Sequence, residues 1–443
     1  MRMFKKVTGP VPLGLVLCFL MLGCQSDDMG DPVLVSVSPI AGPKQALVTI
    51  GGENFGKDPE KVEVYFNGAS ASVESVSMGA ITARVPAGCL SGAIRVVVNG
   101  VELSGPEFQY VFSETRVETF VGSGDAGYEN GEGDIAKFSG PAAMVGDSKG
   151  NLFVTDVLNH AVRKVDANGR VSTFAGGDAP EAEAGYADGP GTDARFEGPY
   201  GIVVDDNDNL YVVDTNNARI RMIAPSGEVS TIAGSGEHGG EDGVGQSAQF
   251  HYPNRMVMGN DNALYVTEGS TGRIRRVSMG DFKVTTYAGS EEGYQDGPLL
   301  TAKFNVPSDL AIDPDGGMLI SDNQNAMIRK IEENSENVTT LVGSDVGHRD
   351  GDLASALLSG PRGIGVGADG TIFFADGVCI RQIDAAGNVT TIAGDPNSEG
   401  YRDGPGDVAL FQGLFGLWLS DDNREIYVAD TFNNVIRKII LVE

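Results

Sequence analysis

The chain has 443 residues, enough for two or three domains, and at 41% hydrophobic it can bury a sizeable core. Its 32 Lys and Arg stand against 61 Asp and Glu, a formal charge of −29, which repels nucleic acid and anionic membrane surfaces and sets both aside as partners. The 62 glycines, about twice the usual share, imply many tight turns.

At the N-terminus, Arg2, Lys5 and Lys6 precede the apolar run VPLGLVLCFLML. That run is too short to span a bilayer as an ordinary helix and reads as a secretion signal. It ends in Met21-Leu22-Gly23-Cys24, which resembles a bacterial lipobox, with Met where Leu is more usual. The resemblance implies a signal peptide over 1–23 and lipid attachment at Cys24. The next residues, Gln25-Ser26-Asp27-Asp28, resemble the surface-export signal of Bacteroidota lipoproteins. Residues 24–31 are therefore expected to be an acidic tether. The expected location is the outer membrane, facing the cell exterior, with membrane contact only through the lipid. Beyond the leader only Cys89 and Cys379 remain. They fall in different predicted domains, so no disulfide framework is expected and both are read as small buried hydrophobes.

Residues 32–112 alternate apolar and polar in short runs such as ALVTI, KVEVYFN and AIRVVVNG, punctuated by Gly, Pro and Asn. Short strands with frequent turns predict a small β-sandwich. The run VTIGGENFG, with SVSP before it and VPAG after it, resembles the IPT/TIG family of immunoglobulin-like domains. That resemblance implies a spacer or interaction module.

From residue 113 onward one unit recurs. Its opening run is VETFVG at 117, VSTFAG at 171, VSTIAG at 229, VTTYAG at 284, VTTLVG at 338 and VTTIAG at 389. A period of this length means a solenoid or a propeller, and four β-type runs per unit with no polar end caps predict a propeller. The unit, GYxDG then AxFxGPxGI then GNLYVxDxxNxxIRKI, resembles the NHL repeat. The segment opens with a lone outer-type strand and ends on an IRKI-type strand, so pairing the two removes two open edges and closes the ring. The fold class is all-β: an Ig-like sandwich followed by a six-bladed propeller over 113–443, closed by the first propeller strand joining the last blade.

Residues present in every blade answer a need of every blade. The Asn/Asp-Gly step of GYxDG is read as turn chemistry, the slot held by Tyr128, Tyr186, Tyr294, Tyr401 and His348 as packing, and the Asp-x-x-Asn pairs as capped turns. Asp205-x-Asn207-x-Asn209 lacks the later ligands of an EF-hand loop and reads as a hairpin turn. The two residues after the GP step should ring the channel mouth, and there the repetition fails: Tyr200, Arg255, Asp309, Arg362 and Phe415 differ from blade to blade. Aromatic faces beside Arg and Asp suit a sugar, with the alternative that Arg255 and Asp309 form an inter-blade ion pair. Trp418, the single tryptophan, stands where other blades have Val, Ala or Gly. It either stacks on a ligand or fills the gap beside a small neighbour such as Gly365.

No catalytic constellation emerges. His160, His238, His251 and His348 come from three different parts of the repeat without a ligand spacing, so no metal and no cofactor are expected. The chain resembles the accessory glycan-binding lipoproteins that accompany outer-membrane nutrient importers. This implies a non-catalytic protein that binds an oligosaccharide or polysaccharide beside an importer complex. A protein-interaction platform is the alternative reading, and a metal-dependent lyase or lactonase of the NHL-like propeller type is the third.

Overall fold

The computed structural model describes residues 30–86, 89–177, 183–420 and 422–441. Cys24 and its flanking tether up to residue 29 lie outside them. Among the described residues the only helices are short 3-10 turns, and none is long and apolar enough to cross a membrane. The chain divides into two compact units between Gln109 and Tyr110.

In the N-terminal unit, eight strands form one antiparallel sheet. The strand Ala69–Ser77 pairs on one side with Ala80–Arg84 and on the other with Val62–Phe66, so it links the two halves. Alternate residues of both halves are buried, among them Val48, Ile50 and Ile81 from one and Val64, Phe66 and Val96 from the other. A sheet that buries one face in each half is folded over on itself, as a sandwich requires. Phe66 and Phe108 meet edge-on at 4.9 Å in its core.

The second unit is a six-bladed propeller of antiparallel sheets. Innermost strands such as Pro199–Val204 start on proline, which is tolerated at a strand's first residue, where no ladder hydrogen bond need be donated. Register in blade 2 sets Ile202 opposite Val212, Val212 opposite Arg221, and Arg221 opposite Thr231. The ring closes where Arg116–Val121 becomes the outer strand of blade 6, with Val117 opposite Ile439. In five blades the Gly of GYxDG begins a further two-residue strand, as Gly189–Pro190 does against the outer strand of its own blade. Cores lie between blades: Ala143, Val145 and Phe153 of blade 1 pack with Phe196, Ile202 and Val212 of blade 2. The phenylalanine of the AxF step is fully buried at 138, 196, 250, 304 and 411, a burial contributing about 2–3 kcal/mol each.

The structure corrects the reading of the repeated acids. Each blade buries one arginine completely: Arg163, Arg221, Arg275, Arg329, Arg381 and Arg437. In blade 2, Arg221 Nη1 donates to Asp214 Oδ2 (2.6 Å) and Arg195 O (3.0 Å), and Nη2 donates to Ala187 O and Asp188 Oδ1 (both 2.7 Å). Asp214 is the Asp of Asp-x-x-Asn, and Asn217 donates to it as well (2.9 Å). Asp188 is the Asp of GYxDG, and it also accepts from the Thr231 amide (3.2 Å). The Asp-Gly step therefore does more than turn the chain: it carries a carboxylate to a buried cation. Phe196 and Tyr186 present their rings to the same guanidinium at 4.9 Å. Because strand, turn and loop all converge on one arginine, the loop is part of the blade. Removing one partner of such a buried pair typically costs about 3–5 kcal/mol.

Candidate functional site

The loops entering the innermost strands and the turns between second and third strands share one face. There the six innermost strands converge too closely for six side chains. A Cβ built on Gly201 would lie 2.7 Å from Asn254 O, on Gly363 2.6 Å from Phe415 O, and on Gly416 2.5 Å from Ala142 O. Only Arg255 and Asp309 bring large side chains to this level, and both are buried. Arg255 Nη2 donates to Ala142 O of blade 1 (2.7 Å), reaching past blade 2. The guanidinium thus lies across the channel and forms its floor, which gives this arginine a use in the fold that the repeat comparison missed.

Asp309 is turned to backbone rather than to the mouth. Its carboxylate accepts from the amides of Leu310 (2.9 Å) and Ile364 (3.3 Å). Among the described residues it forms no direct ion pair with Arg255, so the simple inter-blade ion pair is not present, and it does not line the pocket above this floor. Burial pushes its carboxyl up to about 6, with Arg255 opposing.

Above this floor a pocket of about 220 Å³ is lined by Tyr200, Asn254, Arg255, Arg362, Phe415 and residues of blade 4. Four of the six residues expected from the sequence therefore surround one space. Arg362 stacks on Phe415, its guanidinium carbon 4.2 Å from the ring centroid. Among the described residues Arg362 makes no hydrogen bond or ion pair, so its donors are free for a ligand. Burial lowers its pKa, and burial raises that of Tyr200. Arg255 lies 4.9 Å over Tyr200, and Tyr200, Phe415 and Phe432 form an edge-on series at 6.0 and 5.8 Å. Phe432 is 63% exposed.

Ser308, the first residue after the proline step of blade 4, lines the rim as its place in the repeat predicts, whereas Asn323 and Gln324, which complete the rim, were missed by the sequence reading. Asn323 and Gln324 sit in the turn where other blades carry the repeat's less informative positions. Asn323 Nδ2 donates to Pro361 O (3.2 Å) and Gln324 Nε2 to Asn323 Oδ1 (3.2 Å).

Trp418 does not join the pocket. It packs between the last and first blades, against both adjoining cores and Tyr427 at 5.6 Å. The small neighbour that makes room is Gly146, where a Cβ would lie 2.4 Å from the indole. Gly365 is filled instead by Leu417 and Leu419.

The histidines are likewise not at the mouth. His238 and His251 come within 6.1 Å of each other, His238 stacked on Tyr252 at 4.0 Å and His251 bonded to Ser270 at 2.9 Å. Among the described residues no group of three or more His, Cys, Asp or Glu is arranged to hold a metal.

Comparison with known proteins bears on both units. The IPT/TIG domain matches residues 32–112, the NHL repeat residues 196–221, and the Teneurin NHL domain residues 345–410. NHL repeat-containing protein 2 of Bos taurus is 28% identical over 66% of this chain and 45% of its own length. The chain spans less than half the length of the first curated relatives it matches. Among solved structures, a protein of Bacteroides thetaiotaomicron superposes with a TM-score of 0.57 at 20% identity, over 94% of this chain and 99% of that one. An auxiliary nutrient binding protein from Bacteroides ovatus superposes with a TM-score of 0.56 at 21% identity, over the same shares. At these identities the likeness is one of fold. The chain carries an IPT/TIG domain and NHL repeats that build a six-bladed β-propeller.

Proposed function

We propose that the protein is a non-catalytic binding protein that holds one sugar residue of an oligosaccharide at the channel mouth. In this reading the lipid on Cys24 tethers it to the outer membrane, facing outward, and it serves nutrient uptake beside an importer. One observation carries the reading: Arg362, with no hydrogen-bond or ion-pair partner among the described residues, stacks on Phe415 beside Tyr200. Flat apolar rings and unused planar donors are what a pyranose needs, for C–H stacking and hydroxyl bonding respectively. The carboxamides of Asn254 and Gln324 add further donors and acceptors at the rim. The pocket's size suits one ring, with neighbouring residues of the chain running over the exposed Phe432. The name of the Bacteroides ovatus protein supports nutrient binding as the broader role.

The test is calorimetric titration with a panel of plant, host and microbial glycans. Saturable binding that disappears in Phe415→Ala supports the proposal. Absence of binding across the panel sinks it and favours a protein partner, for which the exposed Phe432 and Leu158 would be the contact surface.

A further inference from the structure

Five of the six blades fill one recess with a ring of their own. Tyr128, Tyr186, Tyr294 and Tyr401 each lie over their blade's buried arginine, with the guanidinium carbon 4.5, 4.9, 4.9 and 5.0 Å from the ring centroid. Each hydroxyl also meets the hydroxyl of a threonine on the outer strand: Thr173, Thr231 (3.0 Å), Thr340 (3.3 Å) and Thr119 (2.6 Å). In blade 5 His348 takes the slot and reaches Thr391 with Nε2 (2.9 Å).

Blade 3 has Gly240 there, and the recess is left as an open surface depression of about 520 Å³ bordered by Gly240, Asp242, Arg273, Thr286 and Leu300. Its surroundings lack the bonds that the other blades make. Among the described residues the Thr286 hydroxyl has no hydrogen-bond partner, whereas Thr231, Thr340 and Thr391 bond both ring and aspartate. Arg275 Nη2 stands 3.5 Å from Glu241 O, against 2.7 to 3.0 Å for the same bond in the other five blades. Arg273 matches Arg219 of blade 2, which stacks 3.8 Å over Tyr186 and gives both terminal nitrogens to carbonyls. Arg273 keeps one long bond, Nε to Ser290 O at 3.4 Å, and extends beside Gly240 with no ring beneath it.

We propose that the blade 3 recess is a binding site for a para-substituted phenol. The ring takes the place that tyrosine holds in the sister blades, against the guanidinium groups of Arg273 and Arg275. Its hydroxyl bonds Thr286, and its para substituent leaves past Gly240. The carboxylates of Glu241 and Asp242 at the rim select against anionic substituents. The chemistry is shared by a free phenolic compound and by the side chain of a tyrosine in another polypeptide.

The test is ligand-observed NMR titration of the full chain with p-cresol. Saturable binding is expected, about fivefold weaker for toluene, which lacks the hydroxyl, and about fivefold weaker for p-cresol in Thr286→Val. Gly240→Tyr should abolish binding and raise the thermal midpoint. Gly240 is not in a left-handed conformation, and a Cβ there meets only the flexible end of Arg273, so the added ring can be accommodated. N-acetyltyrosinamide binding at least as well as p-cresol would identify the source as a polypeptide tyrosine; p-cresol binding alone would identify a small phenol. Absence of saturation up to about 10 mM, or equal binding to the Thr286→Val protein, would overturn the proposal.

Discussion

Arg221 and Arg362 are both arginines stacked against aromatic rings in the same ring of blades, and they differ in everything else. Arg221 is fully buried, and both terminal nitrogens are bonded to carboxylates and carbonyls, an arrangement that recurs in blades 2 to 6 and, with Asn130 in place of one aspartate, in blade 1. Arg362 has no counterpart in other blades, lies half-buried at a pocket, and has no partner among the described residues. The difference teaches how to read a repeat protein. Polar groups that recur with their partners hold the blades together, and polar groups that occur once without partners are available to something outside the chain.

The sharpest way to break this comparison is to exchange the expected consequences. Arg221→Ala leaves Asp214 buried and charged, and should lower unfolding stability by about 3–5 kcal/mol in denaturant titration. A loss below about 1 kcal/mol would mean that the blade arginines are not structural. Asp309 sits between the two classes, unrepeated yet bonded to backbone. Its folded pKa of about 6 lies above the ordinary carboxylate value of about 3.9. The folded state therefore binds the proton more tightly, and the stability this group contributes is full below about pH 4 and declines as pH rises through 6. Asp309→Asn removes that decline, so the variant should gain about 2–3 kcal/mol relative to the parent between pH 4 and pH 7. A pH-independent difference would show that Arg255 keeps the carboxylate ionised.

Arg362→Ala should spare thermal stability and weaken glycan binding at least about tenfold by calorimetry. The smallest effect concerns Trp418. Its replacement by Phe should cost about 1–2 kcal/mol for the space left against Gly146, and should leave glycan affinity unchanged. Altered affinity would place the indole at the ligand after all.

Much of this architecture is legible in the chain. The six VTTxAG-type runs give the blade number, and the strand left over at each end gives the closure. The mouth residues follow from their failure to repeat, and Tyr200, Arg255, Arg362 and Phe415 do surround one pocket. What escaped the reading is what depends on direction and on neighbours in other blades. Period-two alternation tells which face of a strand a residue occupies, but not that the Arg of IRKI points to the loop at GYxDG. It does not reveal that Arg255 is long enough to cross the channel, or that Trp418 leans toward Gly146 of the first blade. Asn323 and Gln324 lie in a turn between second and third strands, whose face the repeat does give, but nothing in the repeat marks these two residues as the ones that reach the pocket. The blade 3 recess is visible only once the other five slots are seen to be filled by rings.

The closing strand has a consequence for biosynthesis. Arg116–Val121 is made before any other part of the propeller, yet its ladder partner Val435–Ile440 is made last. Until that partner strand is made the propeller carries an unpaired β edge, and no blade-by-blade order of folding can satisfy it early. The ring becomes a single cooperative body only when its last strand arrives, so the propeller is held to an all-or-nothing checkpoint at the strand made last among its blades.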